Sequence, residues 1–157
     1  MDLRTKGFTL VEVLVALAVL LILITMAVPA FTGSMQGTKA DTDIGDLRRA
    51  LNFARMTAID RGITTRIRPT AQGSVWSGEL TVYDSTGTPA NVLRVVPAMS
   101  GGATLTLTSE VTNIDFNNLG GLSAPATPVS FNYVRGAQTR TLNVCLNGRI
   151  VLGGSCG

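Results

Sequence analysis

The stretch Gly7-Phe8-Thr9-Leu10-Val11-Glu12 opens an apolar run that continues to Val28, and its reading decides the fold of this chain. From Val13 to Val28, 16 consecutive residues carry no charge, and Glu12 stands alone at the head of the run. A carboxylate costs roughly 2.5–3.5 kcal/mol at a bilayer centre and less near the interface, so Glu12 requires a partner. The residues ahead of Phe8 are few and polar, with Arg4 and Lys6 set against Asp2. A secretory signal has an apolar region of roughly 7–15 residues ending at a small-x-small site. Here the run is longer, holds a carboxylate, and passes through Pro29 without a convincing Ala-x-Ala site. A plain membrane anchor would gain nothing from Glu12. Arg4 and Lys6 precede the run and the next basic residue is Lys39, so the N-terminus is expected to stay cytoplasmic in a single-pass topology. The rest of the chain then lies outside the inner membrane, where cysteines oxidise.

The 157 residues leave room, beyond the apolar helix, for one small domain with one core. Net charge is +3, and removal of Met1–Gly7 with Arg4, Lys6 and Asp2 would leave +2, too little to argue for a polyanionic partner. Seventeen glycines, six prolines and many threonines point to a turn-rich β domain after the helical start.

Helical periodicity resumes after the apolar run, with Ile44, Leu47, Leu51, Ala54 and Ala58 on one face. Asp41, Asp43, Arg48, Arg49, Arg55 and Asp60 fall largely off that stripe and read as a solvated face. Gly62 after Arg61 is a helix stop, with a basic residue in the last turn and glycine at the cap. One long helix is therefore expected from about residue 8 to residue 61. Pro29 should kink it, since proline removes a backbone hydrogen bond and clashes with the preceding turn. Gly33 and Gly37 loosen the turns that follow. From Ile63 onward the pattern is β, with strands expected near 63–68, 75–83, 91–96, 103–109, 111–116, 129–134, 139–146 and 149–152. Turn signals separate them, at 84–89, 100–102 and 117–121. Asn147-Gly148 reads as a two-residue type I′ hairpin. Burying the apolar stripe of the second helical half against an antiparallel sheet gives an α+β domain.

A short basic leader, a glycine, Phe-Thr-Leu-Val-Glu and an apolar helix together resemble the class III signal of type IV pilins and pseudopilins. Further stretches narrow the likeness. Leu51-Asn52-Phe53-Ala54-Arg55-Met56-Thr57-Ala58-Ile59-Asp60-Arg61 resembles the L-x-x-A-R-x-x-A-x-x-R helix end of the GspH/FimT/FimU family of minor subunits. Trp76-Ser77-Gly78 is similar to that family's Trp-x-x-Gly strand with the spacing shortened. Phe116-Asn117-Asn118-Leu119-Gly120 is similar to its Phe-x-x-x-Gly turn, and Asn147-Gly148-Arg149-Ile150 falls where the family carries a Gly-Arg hairpin.

The resemblance implies a pilin-like fold, with a helix whose apolar half spans the membrane and whose amphipathic half packs on the sheet. It divides the chain into a leader at 1–7, an apolar transmembrane and assembly helix at 8–36, and a globular domain at 37–157. It implies cleavage by prepilin peptidase between Gly7 and Phe8, N-methylation of Phe8, and a pairing of the Glu12 carboxylate with the charged N-terminus of a neighbouring subunit. An ion pair in low dielectric is favourable only when both charges are already buried, so such a contact would set the axial register. The implied partners are other minor and major pilins or pseudopilins, prepilin peptidase and the inner-membrane assembly platform. The implied places are the inner membrane, with the globular domain periplasmic, and then the filament. A type IV pilus and the pseudopilus of a type II secretion system both fit, and the C-terminal cysteine pair resembles the disulfide-closed region of pilus subunits.

Cys145 and Cys156 form an even pair in an oxidising compartment, which argues for a disulfide. A metal site or a redox pair has less support, because the chain has no histidine and no Cys-x-x-Cys. The absence of histidine also removes the usual general base and the Ser-His and Cys-His arrangements, so neither enzyme activity nor a cofactor is expected. Asp41, Asp43 and Asp46 are too helical in context for a calcium loop. Some FimT relatives bind DNA through a Gly-Arg-x-Arg loop. Here Gly148-Arg149-Ile150-Val151 keeps one arginine, and Arg135 and Arg140 would add to it only if the fold brought them near. Otherwise Arg149 is a solvated hairpin arginine.

Overall fold

The computed structural model describes residues 7–71, 75–87 and 90–157, leaving aside the side chains of Met26, Val28, Pro29 and Ala30. The leader 1–6, the Thr88-Pro89 end of one expected turn and the kink attributed to the Pro29 ring therefore lie outside the described residues. The chain forms two compact units, Met1–Met35 and Gln36–Gly157, and helix α1 (Leu10–Arg61) contributes to both.

In the first unit, the Val13 N–H donates to the Thr9 carbonyl and the Glu12 N–H to Thr9 Oγ1 at 3.2 Å. Thr9 is thus the N-cap, and Thr-x-x-Glu supplies one half of a capping box. The large apolar side chains from Leu10 to Ile24 are 47–76 % exposed, on every face of the helix. Among the described residues no helix is long and apolar enough to cross a membrane. With the side chains around Pro29 set aside, the described apolar run ends at Thr25.

In the second unit, α1 ends at Gly62, whose φ is 65°. The Gly62 N–H bonds to the Ile59 carbonyl and the Ile63 N–H to the Ala58 carbonyl. That pair of bonds is a Schellman stop and needs the left-handed conformation glycine tolerates. The stripe Ile44, Leu47, Leu51, Ala54 and Ala58 is buried, together with Ala40 and Ala50.

Among the described residues nine strands follow: β1 (Thr65–Pro69), β2 (Leu80–Tyr83), β3 (Val92–Val96), β4 (Thr104–Leu107), β5 (Ile114–Phe116), β6 (Leu122–Ala124), β7 (Val129–Arg135), β8 (Gln138–Val144) and β9 (Ile150–Leu152). They form two antiparallel sheets, in the orders β3-β2-β1-β5-β6 and β4-β7-β8-β9. Alternation sends Ile67, Leu80, Val82, Ile114 and Phe116 from the first sheet into the core. Val129, Phe131, Tyr133, Leu142, Val144 and Ile150 enter it from the second. Burying one such side chain is worth about 1.5–3 kcal/mol, so this shared core holds helix and sheets together.

Three local expectations are corrected. The strand expected over 75–83 begins only at Leu80. Trp76-Ser77-Gly78 forms a turn closed by the Gly78 N–H on the Val75 carbonyl, and Trp76 is buried with Nε1 on the Val111 carbonyl and its ring edge-on to Phe131. Strand β6 has only three residues beside Gly120-Gly121, too short for a periodic signal. Asn147-Gly148 is not a type I′ turn, since that turn needs positive φ at both central residues. Gly148 has φ 75°, but no described non-glycine residue has positive φ.

Candidate functional site

Three of the family-like stretches of sequence, those holding Arg55, Gly120 and Gly148, converge on one point of the second unit. Asn117–Gly121 and Cys145–Arg149 are loops of the same construction. In each, the first residue's carbonyl accepts from the glycine three positions on, and its N–H donates to the carbonyl four positions on. Gly120 and Gly148 are those glycines, with φ of 78° and 75°. Asn117 Oδ1 holds the N–H groups of Leu119 and Gly121, and Asn147 Oδ1 holds that of Arg149. The loops touch: a Cβ built on Gly148 would sit 1.7 Å from the Gly120 carbonyl oxygen. Arg55 of α1 closes the joint by donating from Nε to that same oxygen at 3.0 Å. Arg55 is therefore a tertiary clasp rather than part of a solvated face.

A second polar joint overturns the solvated reading of Asp43. Its side chain is buried, accepting from Tyr133 Oη at 2.7 Å, from Ser100 Oγ at 2.9 Å, and from the Ser100 N–H. Burial, and then the bond to Asp43, push the Tyr133 phenol up to about 12. The helix, β7 and the loop before β4 are thereby tied at one carboxylate. The adjoining cavity, lined in part by Leu47, Trp76 and Met99, measures about 30 Å³, room for one water and not for a substrate. The three aspartates of this helical stretch have separate partners: Asp41 takes Arg140, Asp43 takes Ser100 and Tyr133, and Asp46 takes Arg49.

Cys145 and Cys156 are joined by a disulfide, with Cα atoms 5.4 Å apart. The C-terminal segment it closes is also held by Asn143 Nδ2 on the Gly154 carbonyl and by Arg149 Nη2 on the Cys156 carbonyl at 3.2 Å. Arg149 is thus exposed but occupied. Arg140, paired with Asp41 at 2.7 Å, and Arg135 lie at the β7–β8 turn. Arg149 is bonded to the other end of β8 through Cys145, about 17 Å away by strand rise. The fold does not bring the three arginines together.

At the opposite end of the sequence, Phe8 is 80 % exposed and a Cβ on Gly7 would meet open space. Glu12 sits in the first helical turn, where its backbone N–H is capped by Thr9. Thr-x-x-Glu is a local signal that could have shown that capping. The Asp43–Tyr133 bond spans 90 residues and has no such signal.

A helix laid on two antiparallel sheets, preceded by an uncovered apolar helix, is the architecture of a pilin-like filament subunit. A family model described as Type II transport protein GspH matches residues 43–149, well over half of the chain. A second, the prokaryotic N-terminal methylation motif, matches residues 3–28. The chain belongs to the GspH family. No curated protein matches it in sequence. Among solved structures it is similar to the Pseudomonas aeruginosa type IV minor pilin FimU in two crystal forms. One has a TM-score of 0.66 at 22 % identity, over 76 % of this chain and 96 % of that one. The other has a TM-score of 0.62 at 23 % identity, over 74 % and 99 %. The likeness establishes the fold. The chain is a minor pilin or pseudopilin, a structural subunit and not an enzyme. Its methylation motif is that of pilins processed by a peptidase, anchored at the inner membrane and then assembled with other pilins.

Proposed function

We propose that this chain is a minor subunit of a type IV pilus, cut between Gly7 and Phe8, methylated on Phe8, and packed into the filament through the helix that begins at Leu10. The observation that carries this reading is the apolar surface from Leu10 to Ile24, exposed on all faces and headed by one carboxylate in a capped first turn. A helix apolar all round is stable only when lipid or other protein covers it. Before assembly the cover is the inner membrane, with the globular unit periplasmic, and afterwards it is the helices of neighbouring pilins. Glu12 meets the new N-terminal charge of a neighbour, and the joined C-terminus supports a pilus rather than a secretion pseudopilus.

A second reading, a minor pseudopilin of a type II secretion system, is favoured by the description of the matching family. Intact-mass measurement tests what both share. The membrane-derived protein should lack Met1–Gly7 and carry one added methyl group. A mature chain that begins at Met1, or that is cut beyond Pro29, would sink both. Recovery of the chain in sheared surface pili separates them, since a pseudopilin stays with the secretion machinery.

A further inference from the structure

Arg66 and Arg68 stand on the same face of β1, opposite Tyr83 and Thr81 of β2. Arg66 is fully engaged. Its Nε and Nη2 bond to the two oxygens of Asp115 at 2.8 and 2.7 Å, and Nη1 donates to the Thr86 carbonyl at 3.1 Å. Arg68 is not. Its guanidinium lies over the Tyr83 ring, 4.9 Å from the centroid, and its Nε is buried without a hydrogen-bond partner among the described residues. Both arginines and Tyr83 line an open cleft of about 180 Å³, completed by Ser85–Gly87 and Ala90. The neighbouring Asp84 carboxylate is occupied by the N–H and Nδ2 of Asn91.

With Asp115 cancelling Arg66, Arg68 is the one positive charge lining the cleft that has no ion-pair partner among the described residues. A buried N–H without an acceptor costs about 1–3 kcal/mol, so an incoming acceptor is favoured there. A guanidinium is planar and offers its donors in one plane. A carboxylate has two coplanar oxygens and a single charge, which matches that edge, whereas a phosphate dianion would leave a charge unmatched. We propose that this cleft is a carboxylate-binding site centred on Arg68, with Tyr83 as its platform. The carboxylate is either a free small acid or an aspartate or glutamate side chain of an adjoining subunit, and only the latter source rests on the filament reading.

The test is a titration of the full-length ¹⁵N-labelled chain in detergent micelles at constant ionic strength, following arginine Nε–H signals. Sodium glutarate should shift the Arg68 signal saturably, with half-saturation in the millimolar range, and leave the Arg149 signal in place. The signal is assigned by its loss in Arg68→Gln, and Tyr83→Ala should raise the half-saturation several-fold. No saturable shift, or a response equal to that of chloride, overturns the site. Saturation by phosphate at lower concentration than glutarate overturns the carboxylate assignment. Filament recovery then separates the sources. Several-fold loss of Arg68→Glu from filaments, with Arg48→Glu incorporated normally, assigns the carboxylate to a neighbouring subunit. Normal incorporation of Arg68→Glu, alongside saturable glutarate binding by the wild type, assigns it to a free acid. Absence of the wild type itself from filaments would count against the filament reading, and the titration would still decide the site.

Discussion

Gly148 lies so close to Gly120 that a methyl group on its Cα would sit 1.7 Å from the Gly120 carbonyl oxygen and 2.9 Å from Arg55 Nε. Two glycine turns far apart in sequence share one space, and Arg55 seals it. Gly148→Ala should therefore cost at least about 2 kcal/mol, combining a left-handed alanine with displacement of backbone. Gly62→Ala is the matched control, because its φ is 65° but nothing lies within 4 Å of its new methyl group. It should lose only about 1–2 kcal/mol, the left-handed penalty alone. Urea unfolding of both variants measures the difference, and equal losses would mean that the contact between the loops carries no weight.

Tyr133 gives the domain a limit on its alkaline side. The folded phenol is pushed up to about 12 from an ordinary value of 10.0, so the folded state holds its proton more tightly than the unfolded chain does. The resulting stabilisation is complete below pH 10 and is lost as pH rises through about 12. It amounts to at most about 3 kcal/mol. Tyr133→Phe should lower stability at pH 7 by about 1 kcal/mol through the lost bond to Asp43, and should flatten the decline between pH 10 and 12. Parallel slopes for wild type and variant would show that Tyr133 does not titrate through folding.

Glu12 combines a position suited to a capping box, its backbone N–H already held by Thr9, with a side-chain charge. Glu12→Gln keeps a residue suited to a capping box and removes the charge, whereas Glu12→Ala removes both. If the ion pair with a neighbouring N-terminus governs assembly, both variants should insert and be cleaved normally, and both should be depleted from sheared filaments. Recovery of Glu12→Gln at the wild-type level would assign the residue to helix capping instead.

The bond between Cys145 and Cys156 closes a short terminal ring and should contribute roughly 2–4 kcal/mol. Cys145→Ser should still fold, because Asn143 continues to hold the Gly154 carbonyl, but it should melt several degrees lower. Non-reducing peptide mapping of the extracytoplasmic form should recover the joined peptides, and full thiol labelling without reductant would count against the bond.

Duplex DNA should bind only weakly at about 150 mM salt. Arg149 donates to the Cys156 carbonyl, and Arg135 of β7 and Arg140 of β8 stand near the turn between those strands. One phosphate contact gives a salt slope near −1. A micromolar complex abolished by Arg149→Ala would reverse the expectation.

The sequence by itself determined the helix, its limits and its buried face. Those features rest on local chemistry: an apolar run, a cap at Thr9, a stop at Gly62 and a stripe repeating every three or four residues. The cysteine pair was legible for the same reason, because few chemical choices exist for two thiols in an oxidising compartment. Tertiary structure decided the rest. The burial of Asp43 and the clasp of Arg55 on Gly120 depend on partners 57 to 90 residues away, and the division of the strands into two sheets depends on pairings between segments that are not neighbours in sequence, such as β1 with β5. An aspartate facing water and one facing a tyrosine look the same in a helical repeat. Only the approach of β7 and the loop at Ser100 makes that carboxylate the joint of the domain, because burial penalises a charge unless donors arrive with it.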